Sequence, residues 1–299
     1  MWVKKSMSEL CLRANAKINL FLEVLDKRPD GYHNIDTIFQ SIDLHDTLLF
    51  RETRSGVIKL SSDNEELPLD SSNLVYKASE LLLKESGKNY GVEIHINKRI
   101  PLGAGLAGGS TDASATLIGL NELWSLGYTT DDLLMLGSRL GADVPFCLIG
   151  GTAIGRERGD ILTRLTPIQK LYVVIANPGF QVSTARAYKN LSKLGLTRER
   201  KSDNILVEKM QKGDLSDIGG DLFNVFESVV MEEYPEIREL KTLLTQSGVL
   251  GVLMTGSGST VFALTHDISS AEKIQQQARQ HVGYCVVTET SDFSIAKIF

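Results

Sequence analysis

The segment PLGAGLAGGSTDAS (101–114) concentrates residue types that handle anions. Gly103, Gly105, Gly108 and Gly109 let the backbone approach a ligand without Cβ interference and turn successive N–H groups inward. A helix starting near Ser110, with Ser110 as its N-cap, adds unbonded N–H groups and a dipole to the same place. Two general templates overlap here. Gly103-x-Gly105-x-x-Gly108 matches the dinucleotide fingerprint, but the next element reads as a helix, not a second parallel strand ending in an acid. Gly103 to Ser110 also fits the Walker pattern, except that Gly109 replaces the lysine that would carry charge on the β- and γ-phosphates. A plain flexible turn is the remaining option; four glycines ending on a helix start favour phosphate cradling.

Other candidates are less specific on their own. Asp143, in GADVP, follows a helix end and precedes Pro145, so it suits a cap or turn as well as a base. Lys17, early in a strand, reads equally as a surface lysine. Tyr32 and His33 follow the turn Pro29-Asp30-Gly31, and TGSGST (255–260) lies between two strands as a hairpin turn or a second Gly-rich loop.

These residues need elements to position them. AKINLFLEVL (16–25) alternates, with Ile18, Leu20, Leu22 and Val24 on one face, and is expected to be a strand. TIFQSIDL, TLLFRE, GVIKLSS (56–62) and VEIHINK (92–98) read as further strands. Helices are expected over 71–87, 110–124 and 131–141, the last closed by Gly141. GRERGD (155–160) is a plausible domain boundary. Beyond it come a strand at 171–178, helices around 184–193 and 221–233 joined by a solvated basic stretch (198–203), and a helix at 237–248. Strands flank TGSGST, a helix is expected at 271–280, and a last strand at 284–289. There is no repeat and no low-complexity tract.

Composition narrows the class. The chain has 299 residues, 42% hydrophobic and 23% charged, with 32 Lys+Arg against 37 Asp+Glu and a net charge of −5. Disorder is excluded, the length suggests about two domains, and the acidic balance argues against a nucleic-acid binder. Cys11, Cys147 and Cys285 form no C-x-x-C pair, and the five histidines show no ligand spacing, so neither a disulfide framework nor a zinc site is expected. Lys4 and Lys5 are followed by polar residues rather than an apolar core, and no run reaches the ~18 residues of a membrane span. A cytoplasmic protein without membrane partners is expected.

Pro101 to Ser110 also matches P-x-G-x-G-L-x-G-G-S, the glycine motif of the GHMP kinases, and the chain resembles that family over most of its length. The likeness is strongest at RANAKINLFLEVLDKRPDGYHNIDT (13–37), SSNLVYKA (71–78), INKRIPLGAGLAGGSTDA (96–113), RLGADVPFCLIGGTAIGRERGD (139–160) and LMTGSGSTVFAL (253–264). Five ordered segments are far more specific than one loop. The resemblance implies ATP-dependent phosphorylation of the 2-hydroxyl of 4-diphosphocytidyl-2-C-methyl-D-erythritol, a cytidyl diphosphate sugar alcohol, with ATP and Mg²⁺. It carries the catalytic aspartate onto Asp143 and pairs it with Lys17. It assigns nucleotide binding to Asn73, Lys98, Pro101, Leu102, Gly103, Ala104, Gly105, Leu106, Ala107, Gly108, Gly109, Ser110 and Thr111, with Ser110 as the candidate Mg²⁺ ligand. Substrate contacts fall on Asn19, Tyr32, His33, Thr184, Tyr188, Gly256 and Ser257. Tyr32 and Tyr188 would sandwich the cytosine, and the His33 segment would hydrogen-bond it. Asn15 stands where the family often has proline, and Ala104 and Ala107 occupy variable loop positions.

The implied fold is a two-domain α+β architecture with the active-site cleft between the domains. Residues 1–160 would carry the glycine loop and 161–299 the family's third motif, TGSGST (255–260), with 284–299 a candidate to return to the first domain, as a monomer or weak dimer. The competing readings are a kinase for another small alcohol (homoserine or mevalonate), a non-catalytic nucleotide or metabolite sensor on the same fold, and, more distantly, an NAD-binding oxidoreductase. The GYHN segment and Tyr188 separate the first of these, since neither acceptor has a base to stack. The presence of both Lys17 and Asp143 disfavours the sensor.

Overall fold

The computed structural model describes residues 9–53, 56–193, 200–245 and 248–299. Lys4, Lys5 and the start of the basic stretch at 198–199 lie outside them. The chain begins with β1 (Glu9–Lys27), β2 (His33–Thr53) and β3 (Ile58–Ser62), then α1 (Leu74–Ser86), β4 (Gly91–Asn97), α2 (Gly108–Leu123), α3 (Thr130–Leu140) and α4 (Val144–Ile149). Next come β5 (Thr152–Arg156), β6 (Ile161–Arg164), β7 (Tyr172–Asn177), α5 (Thr184–Lys193), α6 (Asn204–Lys212), β8 (Phe223–Asn224), α7 (Glu227–Glu233) and α8 (Pro235–Leu244). The chain closes with β9 (Gly251–Met254), β10 (Val261–Thr265), α9 (Ile268–Ala278), β11 (Tyr284–Ser291) and β12 (Ile295–Lys297).

β1 and β2 form a long antiparallel ribbon, with β4 and β5 paired to β2 on either stretch of its length. The two strands expected within 37–52 are one, because Asp46 does not break the run. Its buried carboxylate accepts Lys98 Nζ and the N–H groups of Arg99 and Ile100, so a residue that strands usually exclude is satisfied here.

The single apolar face expected on β1 is also interrupted. Register shifts fall between Asn15 and Lys17 and between Asn19 and Phe21. The second changes the parity, so Ile18, Leu20 and Phe21 enter one core cluster while Leu22 and Val24 enter another. Lys17 and Asn19 alternate with Ile18 and thus face away from its core.

Helices α1 and α2 cover the first sheet, sealing a core around Leu12, Leu48, Phe50, Ile94 and Leu117. The second sheet runs β11-β7-β10-β9. β11 joins the two, pairing β7 through Glu289 and β2 at Thr290 and Ser291, and β12 then pairs β1.

Several elements differ from expectation. α4 is short and mostly buried, so it shows no amphipathic period. The helix expected over 221–233 starts only at Glu227, with β8 lying beside β1 before it; α6 stands where none was expected. Residues 155–160 span the end of β5 and the turn into β6, which stays paired to β5 in the first sheet.

Candidate active site

A cavity of about 1190 Å³ opens between the two halves of the chain. The glycine loop forms one wall. Gly103, Gly105 and Ala107 all have positive φ (61°, 79° and 58°), and this alternation winds the loop into α2. Ser110 is not the N-cap of that helix. Ala107, in the left-handed region, takes the position without a side-chain cap, and Ser110 falls within the first turn. The uncapped N–H groups at the helix start are therefore free to meet an anion. A Cβ on Gly105 would come within 2.3 Å of the Thr255 carbonyl, so this glycine is required by the close approach of the 255–258 loop.

Pro101, Leu102, Gly103, Ala104, Gly105, Ala107, Gly108, Gly109 and Ser110 all line the cavity. Leu106 and Thr111 do not; they are buried behind the loop, Leu106 offering its carbonyl to the Lys17 N–H. Asn73 is also absent from the wall, because its side chain accepts from Val75 N–H as the N-cap of α1 and donates to the Pro68 carbonyl. Lys98 reaches the wall, but its ammonium is buried between Asp46 and Asp112, 2.9 Å from the latter. Burial lowers the Lys98 pKa, and the two carboxylates more than offset this, leaving it raised. Burial likewise raises Asp112, against the pull of Lys98.

Lys17, Asn19 and Asp143 meet at the same wall. Asp143 sits at the N-cap position of α4 but makes no capping bond, which leaves its carboxylate facing the cavity, 37% exposed. Lys17 Nζ lies 3.8 Å from it. The Lys17 side chain is only 4% exposed, so the surface-lysine reading is excluded. Its ammonium donates to Asn19 Oδ1 at 2.7 Å and to the Gly105 carbonyl at 3.1 Å. Asn19 Oδ1 accepts further bonds from Thr255 Oγ1 and Gly256 N–H, while its Nδ2 donates to Thr37. Lys17 thus reaches the first glycine-rich loop directly, and the Asn19 amide ties it to the second.

The aromatic wall is built differently. Tyr32, on the turn after β1, is 55% exposed, and the Arg158 guanidinium lies 5.1 Å from its ring centroid. His33 stacks on Tyr188 of α5 at 4.7 Å and 20°, and Phe226 packs edge-on to Tyr188 at 4.8 Å. Burial, with Lys27 adding, lowers the His33 pKa; burial, with Asp143 adding, pushes the Tyr188 hydroxyl up to about 12. Thr184 and Ser257 share a 2.8 Å hydroxyl contact that links α5 to the second glycine-rich loop. Every expected substrate residue, including Gly256, lines this cavity. Sequence reasoning missed Lys27, Arg158, Gln181 and Lys189 on its wall. Lys27 and Arg158 lie within segments that already pointed to the family (13–37 and 139–160), whereas Gln181 and Lys189 lie outside all of them.

A glycine-rich loop feeding a helix, with a lysine–aspartate pair beside it in a cleft between two α+β domains, defines a small-molecule kinase of the GHMP class. Residues 73–151 match the family model described as GHMP kinases N terminal domain, and residues 206–283 match GHMP kinases C terminal. A 4-diphosphocytidyl-2-C-methyl-D-erythritol kinase from Pelotomaculum thermopropionicum is 46% identical over 93% of this chain and 96% of its own length. Its counterpart from a Nostoc species is 42% identical, covering 91% of each. A crystal structure of 4-(cytidine 5'-diphospho)-2C-methyl-D-erythritol kinase, 31% identical, superposes with a TM-score of 0.79 over 95% of this chain and 99% of that one. A homoserine kinase from Cytophaga hutchinsonii, 22% identical with a TM-score of 0.76 and full coverage of both chains, shares the fold. The chain belongs to the family of 4-diphosphocytidyl-2-C-methyl-D-erythritol kinases.

Proposed function

We propose that the protein transfers the γ-phosphoryl group of ATP to the 2-hydroxyl of 4-diphosphocytidyl-2-C-methyl-D-erythritol, a cytoplasmic step of non-mevalonate isoprenoid precursor synthesis. The observation that carries this reading is the joining, in one cavity, of the Lys17–Asp143 pair beside the glycine loop and the His33–Tyr188 aromatic stack. A homoserine or mevalonate acceptor would leave the aromatic wall without a partner.

Asp143 takes the proton of the acceptor hydroxyl, or orients it, as the hydroxyl oxygen bonds to the γ-phosphorus and the bond to the β-phosphate oxygen breaks. Lys17 supplies the positive charge that Gly109 does not, and Asn19 holds that ammonium in place. N–H groups of the glycine loop and of the first turn of α2 hold the phosphates. Asn73 shapes the nucleotide side indirectly, by capping the helix that presents Leu74 to the cavity. Tyr32 and Tyr188 select the cytosine by stacking, with the His33–Tyr188 contact occupying the slot that the base takes over.

No group of three or more His, Cys, Asp or Glu side chains able to hold a metal occurs among the described residues. The Ser110 hydroxyl, on the cavity wall in the first turn of α2, is the residue that would hold Mg²⁺ arriving with the nucleotide. Bound there, the ion would neutralise phosphate charge.

A coupled assay for ADP release, run with the cytidyl compound, homoserine and mevalonate in parallel, tests the reading. Release with the cytidyl compound alone is expected. Release with homoserine and not the cytidyl compound would overturn it.

A further inference from the structure

The turn between β5 and β6 is tied to the turn that carries Tyr32 and to the start of β2 by three separate contacts. The Ile35 N–H donates to the Glu157 carbonyl at 2.6 Å. Glu157, held at a φ of +56°, places its carboxylate 2.9 Å from Arg28, which also binds Asp30 of the Tyr32 turn and Asn34 at the start of β2. Arg158 lays its guanidinium against the Tyr32 ring. A left-handed backbone at a non-glycine residue is sparsely populated and persists where surrounding contacts impose it.

We propose that Arg158 is a specificity-determining positioning residue, which covers one face of Tyr32 and leaves only the other face for the cytosine ring. This rests on the substrate assigned above. Arg158 is poorly suited to bind the diphosphate itself. Its Nε donates to Asp160 at 3.1 Å, one Nη is shared between Asp160 and the Ser138 carbonyl, and the pair is close to neutral as a unit. At 24% and 11% side-chain exposure, Arg158 and Asp160 form a largely buried pair that fixes the plane of the guanidinium. A flat cation fixed in this way holds an exposed tyrosine upright more firmly than the mobile point charge of a lysine would.

The test is steady-state kinetics of Arg158→Ala in wild-type and Tyr32→Ala backgrounds. Arg158→Ala should raise KM for the cytidyl substrate about fivefold, the scale of one cation–π contact, with kcat and KM for ATP unchanged. In the Tyr32→Ala background the same substitution should add nothing, because the ring through which it acts is gone. Arg158→Lys should recover part of the loss, and it replaces the alanine in the same cycle if that variant does not fold. An equal rise in both backgrounds would show that Arg158 meets substrate directly and would overturn the proposal. So would an unchanged KM, or a fall in kcat alone. A wild-type enzyme inactive on the cytidyl compound would sink the substrate assignment and this inference with it, a failure visible before any variant is made.

Discussion

Two parts of one cavity wall are made from different materials. Around Lys17 the groups are buried and polar, and nearly every donor is matched to a named acceptor through Asn19, Gly105, Thr255 and Gly256. Around Tyr188 the contacts are ring faces and edges on a turn and on α5, with Tyr32 half out in solvent. Hydrogen-bonded networks of the first kind specify one geometry, and removing a partner leaves a buried group unsatisfied. Stacking is tolerant of small displacements and costs less to disturb. Phosphoryl transfer needs the first, whereas recognition of a flat base that must enter and leave suits the second.

The comparison is broken most severely at Asp143. Asp143→Asn should lower kcat on the order of a thousandfold, leaving nucleotide affinity within about twofold, since the substitution keeps the shape and makes no loop contact. Near-normal turnover, measured with affinity by nucleotide titration, would remove Asp143 from the chemistry. Asn19→Ala comes next. It leaves Lys17 Nζ, Thr255 and the Gly256 N–H short of an acceptor in a buried place, so two readouts should move together. The urea midpoint should fall by an equivalent of about 1–3 kcal/mol, and kcat by roughly 10- to 100-fold as Lys17 loses its position. A loss of KM for the cytidyl substrate with kcat intact would put Asn19 on the recognition side instead.

How much of this could be read from sequence follows the same division. The phosphate loop is legible because its chemistry is local, with four glycines and a helix start within ten residues. Lys17 and Asp143 are distant in the chain, and each has an ordinary local explanation; only the ordered family segments bring them together. Ser110 is misplaced by sequence because nothing in its neighbourhood announces that Ala107 adopts a left-handed backbone and begins the helix earlier. Asn19 looks like one polar residue in an alternating strand, and its network exists only because the 255–258 loop packs within reach of Gly105. Lys98 carries no local sign of burial, and its place between Asp46 and Asp112 depends on a strand pairing that periodicity does not reveal. Arg158 sits in a charged, glycine-punctuated turn, and nothing local announces its contact to the ring of Tyr32.

The smallest expected effect lies at His33 and probes whether the aromatic wall is held by neutral rings. Burial first, and then Lys27, lowers its pKa below the ordinary 6.5, with Asp26 opposing. The unfolded chain therefore takes up a proton at a higher pH than the folded one. Stability contributed by the neutral imidazole is fully present above 6.5, and it is lost as pH falls from there through the lowered folded value. His33→Phe keeps a ring against Tyr188 and cannot titrate. Thermal unfolding of the two proteins across pH 7.5 to 5 should show wild type losing ground to the variant only below about 6.5. The difference should be small, since His33 is partly exposed and its charge is screened. Parallel curves through that range would mean that the His33–Tyr188 stack is indifferent to charge, and the aromatic wall would then owe its order to the T-shaped Phe226 contact and the Thr184–Ser257 link rather than to a neutral imidazole.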